Sequence, residues 1–184
     1  MSPQILMLLA ALAAAPVLAQ GTASPAPGSA SPYAGQQSRA VKALSDEERA
    51  GLLEGQGMGF AKAAELNGYP GPTHVLELAN HLQLTAEQRR ATRKLLDDHK
   101  AAARQLGAAL VEAERALDEA FASRGADEAT VRRLSAEAAR LQGELRFEHL
   151  KTHLAQAALL RPEQIRHYAN LRGYGGAGGG GHRH

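Results

Sequence analysis

The chain has 184 residues, with 21 Lys plus Arg, 19 Asp plus Glu, a formal net charge of +2 and no Cys. Without cysteine it has no disulfide framework, thiolate metal site, iron–sulfur cluster or cysteine nucleophile. The net charge is too small to predict a nucleic-acid partner by itself, and three Phe, four Tyr and no Trp are too few for a base-stacking platform. Abundant Ala and Leu favour helices, and the length fits one small domain with tails.

The first 19 residues have the pattern of a secretory signal peptide. An apolar run extends from Ile5 to Ala15, and Val17 and Ala19 fit cleavage after Ala19. The run is shorter than the roughly 20 residues that span a bilayer. The first basic residue is Arg39, a departure from the usual signal that an atypical signal or a mis-assigned start codon would explain. We expect export to the periplasm and no transmembrane segment after cleavage.

Two segments of small and flexible residues flank a central region. Residues 20–39 are rich in Pro, Ser, Gly and Ala, which bury too little apolar surface to offset the entropy of an ordered chain. Residues 173–184 form a Gly-rich tail that ends in His-Arg-His. We therefore expect a disordered linker at 20–39, a helical domain at 40–172 and a flexible tail at 173–184.

Capping signals divide the central region into short and long helices. A capping box at Ser45 opens a short helix that fails at the glycines from Gly55 onwards. A turn at residues 67–72 precedes a second short helix, which carries Val75, Leu78, Ala79 and Leu82 on one face. The region is thus predicted to be helical from its first capping box.

Two long helices follow, over residues 86–123 and 128–160, and a final helix begins at Pro162 and ends at Gly173. A tight turn joins the long pair, which predicts an antiparallel helical hairpin. The apolar seam of the first long helix alternates in steps of three and four residues. Its members are Leu95, Ala102, Leu106, Ala109 or Leu110, Ala113, Leu117, and Ala120 or Phe121.

The second long helix has two apolar sides. One side carries Leu141 and Leu145, and the opposite side carries Phe147, Leu150, Leu154 and Ala158. That opposite side needs cover, either from the short flanking helices or from a second copy of the chain. The high Ala content allows close helix approach, so we expect a homodimer.

A motif occurs twice, each time at the start of a helix. The first copy, L-T-x-x-Q, contains Leu84, Thr85 and Gln88, and the second, L-x-P-E-Q, contains Leu160, Pro162 and Gln164. In each copy a leucine precedes the cap, and a polar side chain of the first turn reaches back to it. A single copy would be an ordinary helix cap.

Two copies that bracket a long helical hairpin in an exported chain without cysteine are more specific. The arrangement resembles the Spy/CpxP-like periplasmic proteins, to which ZraP and CnrX are related, over roughly residues 73–172. The resemblance implies a curved antiparallel homodimer with either ATP-independent chaperone activity or heavy-metal sensing and binding. Two departures are that Arg161 replaces the Thr of the second motif and that residues 57–72 have no assignable counterpart.

Histidines are the candidate metal ligands. His149 and His153 lie four residues apart, so they share one helix face and could share one metal ion. Histidine pairs with this spacing are more often half-exposed interface residues than metal ligands. The family resemblance makes metal binding by His149 and His153 about equally favoured. The tail histidines His182 and His184 could add labile ligands for zinc, nickel or copper. Further ligands could come from His81, His99, Glu144 or a two-fold-related histidine pair, although His81, like His74, is interpreted as a surface or interface residue and His99 as a packing residue.

One half of the first long helix is basic, while its far end is mostly acidic. The basic residues are Arg89, Arg90, Arg93, Lys94, Lys100 and Arg104. They form either a solvated face with weak ion pairs or a surface that attracts unfolded acidic chains by charge. The resemblance slightly favours the second interpretation.

The motifs of common enzyme classes are absent from the sequence. No serine lies in a G-x-S-x-G or S-x-x-K motif, and residues 57–59 lack the Lys-Ser/Thr ending of a P-loop. His149 and His153 have the spacing of H-E-x-x-H, but Leu150 occupies the position of the general-base Glu. We predict that the chain is not an enzyme.

The leading hypothesis is a periplasmic, ATP-independent chaperone of the Spy/CpxP type that binds unfolded envelope proteins. The alternative is a periplasmic heavy-metal sensor or resistance protein that uses His149 and His153 with Zn, Ni or Cu. The third possibility is an architectural helical module with neither client nor ion. No cofactor is required in the first or third case.

Overall fold

The computed structural model describes residues 31–175. The expected signal peptide, linker residues 20–30 and the tail histidines His182 and His184 therefore lie outside the described residues. The chain divides into two units, residues 1–34 and residues 35–184. Residues 31–34 form a turn, in which Ala34 N–H donates to the Ser31 carbonyl (2.9 Å).

Residues 35–175 are helical, and no β-strand occurs in this part of the chain. The predicted all-α fold is confirmed, and the two long helices agree with the predicted ranges to within two residues. A four-residue helix, α2, was not predicted. The elements in order are a 3-10 helix (Gln36–Ser38), α1 (Asp46–Glu54), α2 (Lys62–Glu65), α3 (Pro72–Glu77), α4 (Ala86–Ala122), α5 (Glu128–Ala158) and α6 (Pro162–Leu171).

The predicted hairpin is formed by α4 and α5, which pack against each other. They run antiparallel: Gln88 at the start of α4 reaches the carbonyl of Leu159 just after α5 (2.9 Å), and His99 further along α4 meets Glu148 further back on α5. At the turn between them, the Asp127 side chain accepts from the Thr130 N–H (2.7 Å) and caps α5.

Each motif glutamine caps its own helix. At α4, Thr85 Oγ1 accepts from the Gln88 N–H (3.1 Å) and Gln88 Oε1 accepts from the Thr85 N–H (3.0 Å), which completes a capping box. At α6, Gln164 Oε1 accepts from the Arg161 N–H (2.9 Å). Arg161 stands where the motif has Thr, and its side chain has no hydrogen-bond acceptor. Only half of the capping box therefore forms at α6.

The two motifs also bind each other across 76 residues of sequence. Gln88 Nε2 donates to Gln164 Oε1 (2.9 Å) as well as to Leu159, and Gln164 Nε2 donates back to Gln88 Oε1 (3.1 Å) and to the Leu82 carbonyl (3.0 Å). Both side-chain amides thus have partners for their donors and their acceptor. The predicted helix caps are therefore parts of one joint between the starts of α4 and α6.

The buried face of α4 is displaced from part of the predicted seam. Leu95, Ala102 and Leu106 are only half-buried, because α4 packs against α1 and α3 as well as α5 and therefore buries more than one line of residues. The predicted Leu110 and Ala113 are buried. The full set of buried residues is Thr92, His99, Ala103, Gly107, Leu110, Val111 and Ala113.

Close approach of α1 to α4 depends on a glycine. A Cβ on Gly107 would lie 2.1 Å from the carbonyl oxygen of Leu52, far inside van der Waals contact. Because Gly107 has no side chain, Leu52 at the end of α1 reaches the α4 backbone and is buried. α1 then ends at Gly55, which has φ 65° and forms the left-handed cap.

The second apolar side of α5 lies open within residues 31–175. The side chains of Phe147 and Leu154 are 63% and 55% exposed, whereas Leu141 and Leu145 on the other side are buried in the core. The short helices thus leave much of this side uncovered. No helix among the described residues is long and apolar enough to cross a membrane.

Candidate functional site

Four histidines line a cavity of about 430 Å³ between the two long helices and the start of α3. His74 lies on α3 and its Nδ1 is 2.8 Å from Glu77 Oε2, and the other three lie on the long helices. His99 comes from α4, and His149 and His153 come from successive turns of α5. The glycine-rich loop at residues 55–59, which follows α1, forms another wall. Caps and helix register, rather than a local motif, bring these side chains together.

His149 is the most enclosed of the four. It is 4% exposed, its ring stacks on Phe60 with centroids 5.5 Å apart, and the ring of His99 meets it edge-on at 4.6 Å. Its Nε2 is buried and has no hydrogen-bond partner. Burial, with smaller contributions from His99 and His153, lowers the pKa of His149 to about 4. The imidazole is therefore neutral near pH 7.

His99 is held by two side chains of α5. Its Nδ1 lies 3.1 Å from Thr152 Oγ1 and 3.5 Å from Glu148 Oε1. The Thr152 hydroxyl donates its only proton to the Glu148 carbonyl (2.8 Å), so it accepts from His99, and Nδ1 carries the ring proton. Burial lowers the pKa of His99, and Glu148 opposes that shift. In the neutral ring the lone pair is therefore at Nε2.

His153 has the same arrangement with a different partner. Its Nδ1 lies 2.7 Å from the carbonyl oxygen of Tyr69, which can only accept, so Nδ1 donates. Its Nε2 edge faces Gly71, where an added Cβ would lie 3.0 Å from Nε2. Metal-binding histidines commonly donate one ring N–H to a carbonyl or carboxylate and bind metal through the other nitrogen. His99 and His153 both fit that pattern.

Two carboxylates near the histidines have partners for at least one oxygen. Glu65 accepts from the Tyr168 hydroxyl and lies 3.6 Å from Arg172 and 3.7 Å from His153. Burial, then the bond to Glu65, raises the pKa of Tyr168 far above its usual value. Glu148 pairs with Lys151 (2.6 Å) as well as with His99. Glu65 Oε2, in contrast, is buried at the cavity without a hydrogen-bond partner, so one carboxylate oxygen remains available beside the histidines.

Residues 62–167 match the family model described as heavy-metal resistance. The match covers more than half of the chain and includes both motifs and all four histidines. The chain belongs to the heavy-metal resistance family. This family is of the Spy/CpxP type, so the resemblance drawn from the motifs is confirmed at the family level. No curated protein and no solved structure matches the chain.

Within this member of the heavy-metal resistance family, the cavity offers nitrogen donors and lacks a complete ligand shell. Among residues 31–175, no group of three or more His, Asp or Glu side chains is close enough to hold an ion as arranged. The buried, unpartnered Nε2 of His149 nevertheless fits a metal that binds imidazole nitrogen. The residues therefore fit a heavy metal that takes imidazole nitrogen better than one that needs a cage of carboxylates.

The structure separates the other predicted ligands from the histidine cavity. Glu144 is exposed and pairs with Arg140 (2.6 Å). His81 is exposed and lines a different cavity of about 280 Å³ with His167. His99, interpreted from the sequence as a packing residue, is buried and hydrogen-bonded as expected but also lines the cavity. His99 reaches the cavity because of the register between α4 and α5, and no sequence motif predicts that register.

The predicted basic face is exposed along its whole length, at Arg89, Arg90, Arg93, Lys94, Lys100 and Arg104. Several of these side chains have local partners. Lys94 pairs with Asp98 (2.6 Å), and Arg89 donates to Asn80 (3.0 Å) and to backbone carbonyls. Exposed pairs of this kind contribute about 0–1 kcal/mol to stability.

Proposed function

We propose that this member of the heavy-metal resistance family binds a heavy-metal ion in the histidine cavity and acts in metal sensing or resistance. One observation carries the proposal: Nε2 of His149 is buried without a partner in a cavity that three more histidines line. Leaving a buried polar atom unpaired costs about 1–3 kcal/mol, and a bound ion would remove that cost. The family assignment supports this hypothesis more directly than the chaperone hypothesis.

The chain's own residues divide into ligands and residues that position them. His149, His99 and His153 would hold the ion through ring nitrogens. Thr152 and Glu148 fix the ring of His99, and the Tyr69 carbonyl fixes that of His153. When bound, the ion would supply a positive centre shared by ligands from α4 and α5. The proposed activity is binding without catalysis.

Export and dimerisation are parts of the same proposal. Members of the family are typically exported, which supports cleavage after Ala19 and a periplasmic location. A second copy of the chain is proposed to cover the apolar side of α5 that contains Phe147 and Leu154.

Calorimetric titration of the chelator-treated full-length protein with Zn(II), Ni(II) and copper tests the metal proposal. His149→Phe keeps an aromatic ring against Phe60 and removes the ligand, and we expect it to weaken binding about 100-fold. His182→Ala/His184→Ala is the matched control for the tail. If the tail variant loses metal affinity and His149→Phe keeps it, the cavity is not the metal-binding site.

A second candidate function is the binding of unfolded envelope proteins. In this alternative the apolar side of α5 binds clients instead of a second copy of the chain. The observation that favours it is that Phe147 and Leu154 are exposed on that side, on a chain whose α4 also has an exposed basic half. Loose apolar contact combined with attraction by charge permits fast and reversible capture.

Suppression of aggregation of a reduced model substrate, without ATP, tests this second candidate. We expect Phe147→Ser/Leu154→Ser to abolish suppression, while Phe121→Ser, an exposed aromatic residue at the end of α4, leaves it unchanged. Wild-type protein that fails to suppress aggregation at several-fold molar excess would refute this function.

A further inference from the structure

The histidine cavity is larger than a bare ion requires. Its volume of about 430 Å³ lies within the range of roughly 300–1,000 Å³ that is typical of pockets for small molecules, whereas one water molecule occupies only about 30 Å³. Among residues 31–175, no group of three or more His, Asp or Glu side chains is arranged to hold an ion. An ion bound at His149 would therefore need further ligands, and the cavity has room for a small molecule that supplies them.

Two lysines line the same cavity and have no acidic partner. Lys62, on α2, extends over the glycine-rich loop, where its Nζ would lie 3.9 Å from a Cβ added to Gly59. Lys100 follows His99 on α4, and its charge adds to burial in lowering the pKa of that histidine. Both lysines are exposed, and within residues 31–175 neither ammonium group forms an ion pair with a carboxylate.

These two charges oppose a metal cation that enters the cavity alone. The carboxylate of Glu65 also lines the cavity, and its Oε2 is buried without a hydrogen-bond partner. Arg172 lies 3.6 Å from Oε1 of the same carboxylate and balances its charge. The two lysines therefore leave the cavity with a net positive charge, and like charges close together repel. A metal complex that carries its own negative charges would instead be attracted by the lysines.

The glycine-rich loop adds donors that suit an anion. Met58 and Gly59 have φ values of 42° and 79°, and they form a tight turn that the Phe60 N–H closes by donating to the Gly57 carbonyl (2.8 Å). The N–H groups of residues 57–59 have no acceptor among the described residues. Successive backbone N–H groups in a turn attract anionic oxygens. The cavity thus combines donors for an anion on α2, α4 and the loop with imidazole nitrogens on α4 and α5.

We propose that the cavity binds the metal together with a small anionic chelator, a polycarboxylate of the size of citrate, and not as a bare ion. The histidine nitrogens hold the metal, and carboxylate oxygens of the chelator pair with Lys62 and Lys100. This inference rests on the proposed metal-binding function, because it names what accompanies the ion. The chelator supplies both the ligands that the protein lacks and the negative charge that the lysines attract.

Equilibrium dialysis of the full-length, metal-free protein with Ni(II) and ¹⁴C-labelled citrate tests the proposal. This measurement counts the metal and the anion that the protein retains, so it distinguishes a joint complex from simple competition for nickel. The parent protein carries His182→Ala/His184→Ala, so that the tail does not contribute. In a second series, ethylenediamine, a chelator without negative charge, replaces citrate.

The variants separate the anion donors from the metal ligands. Lys62→Gln/Lys100→Gln removes both ammonium groups from the cavity, and His149→Phe removes the buried imidazole. The matched control is Lys42→Gln/Lys94→Gln, which removes two exposed lysines that do not line the cavity. Because Lys62 and Lys100 are exposed, their variant keeps the test valid even if His149→Phe is unstable.

We expect the parent and the control to retain one Ni(II) and one citrate per chain, and citrate to lower the nickel dissociation constant about 10-fold. Lys62→Gln/Lys100→Gln should lose the citrate and its effect. Without citrate it should bind nickel at least as tightly as the parent, because two repelling charges are gone. His149→Phe should retain neither ligand, and ethylenediamine should weaken nickel binding to every protein.

Three results would overturn the inference in distinguishable ways. If the protein retains nickel without citrate, and the cavity lysine variant behaves as the parent, the cavity binds a metal ion alone. If citrate is retained equally well without nickel, the cavity binds the anion by itself. If nickel binding does not depend on His149 in either series, the metal-binding function of the cavity fails together with this inference.

Discussion

The most informative single residue is His149, whose ring nitrogen is buried with no hydrogen-bond partner. The spacing of His149 and His153 identified them as a possible ligand pair because residues four apart share a helix face. The sequence could not predict which pair member is buried, or that His99 meets His149 edge-on. These facts depend on the register of α4 against α5, which hydrophobic periodicity does not specify.

The stability of the metal-free protein should fall in mild acid because of this residue. The pKa of His149 is about 4 in the folded protein, against 6.5 for an ordinary histidine. Between these values the unfolded chain binds a proton that the folded chain excludes, so protonation favours unfolding. We expect the free energy of unfolding, measured with urea and a chelator, to decrease as the pH falls from about 6.5 towards 4.

His149→Phe is the control for this dependence. It should be less sensitive to pH than the wild type over the same range, although His99, whose pKa is also lowered by burial, should keep part of the effect. Equal pH dependence in the two proteins would show that His149 is not enclosed as described.

At the scale of elements, the long helices were predictable because their start signals are local. The contacts between helices were not predictable from those signals. Capping boxes and Asp127 identified the starts of α1, α4 and α5, since these signals act within a few residues. The four-residue α2 has no side-chain cap and was missed. From the sequence, Gly107 is only a residue of low helix propensity. The contact with the Leu52 backbone shows that the absence of a side chain at Gly107 allows α1 to pack closely on α4.

Two glycine substitutions separate helix propensity from close packing. Gly107→Ala should destabilise the protein by about 1–3 kcal/mol, because its Cβ would collide with the Leu52 backbone. Gly143→Ala on the exposed face of α5 has nothing within 4 Å of its Cβ and should stabilise by about 0.5–1 kcal/mol. Urea unfolding of both variants checks this. A Gly107→Ala protein as stable as Gly143→Ala would contradict the contact between α1 and α4.

The joint between Gln88 and Gln164 makes a second prediction at this scale. Gln88→Glu keeps an acceptor for the Thr85 N–H and removes the donors to Leu159 and Gln164, so two carbonyl oxygens lose a partner. We expect a loss of about 1–3 kcal/mol by urea unfolding. The same change at exposed Gln142 on α5 is the control. Equal stability of the two variants would show that the motifs act only as separate caps.

At the scale of residues 35–175, two apolar core clusters account for the fold, and the polar features account for the proposed function. One cluster contains Leu52, Leu110 and Leu145, and the other contains Val75 and Tyr168. The predicted fold class followed from periodicity and caps, both of which are local. The cavity did not, because it requires α4, α5 and the loop after α1 to be in place together.

The most direct test of heavy-metal binding at the buried histidines is long-range ¹H–¹⁵N correlation of histidine side chains in the full-length protein. Spectra are compared before and after one equivalent of Ag(I) or Zn(II), and His149→Phe and His99→Phe provide the assignments. We predict that the Nε2 signals of His149 and His99 shift on coordination and that the Nδ1–H signal of His99 persists. If only signals of His182 and His184 change, and those of His149 and His99 stay where they were with both ions, the cavity is not the metal site.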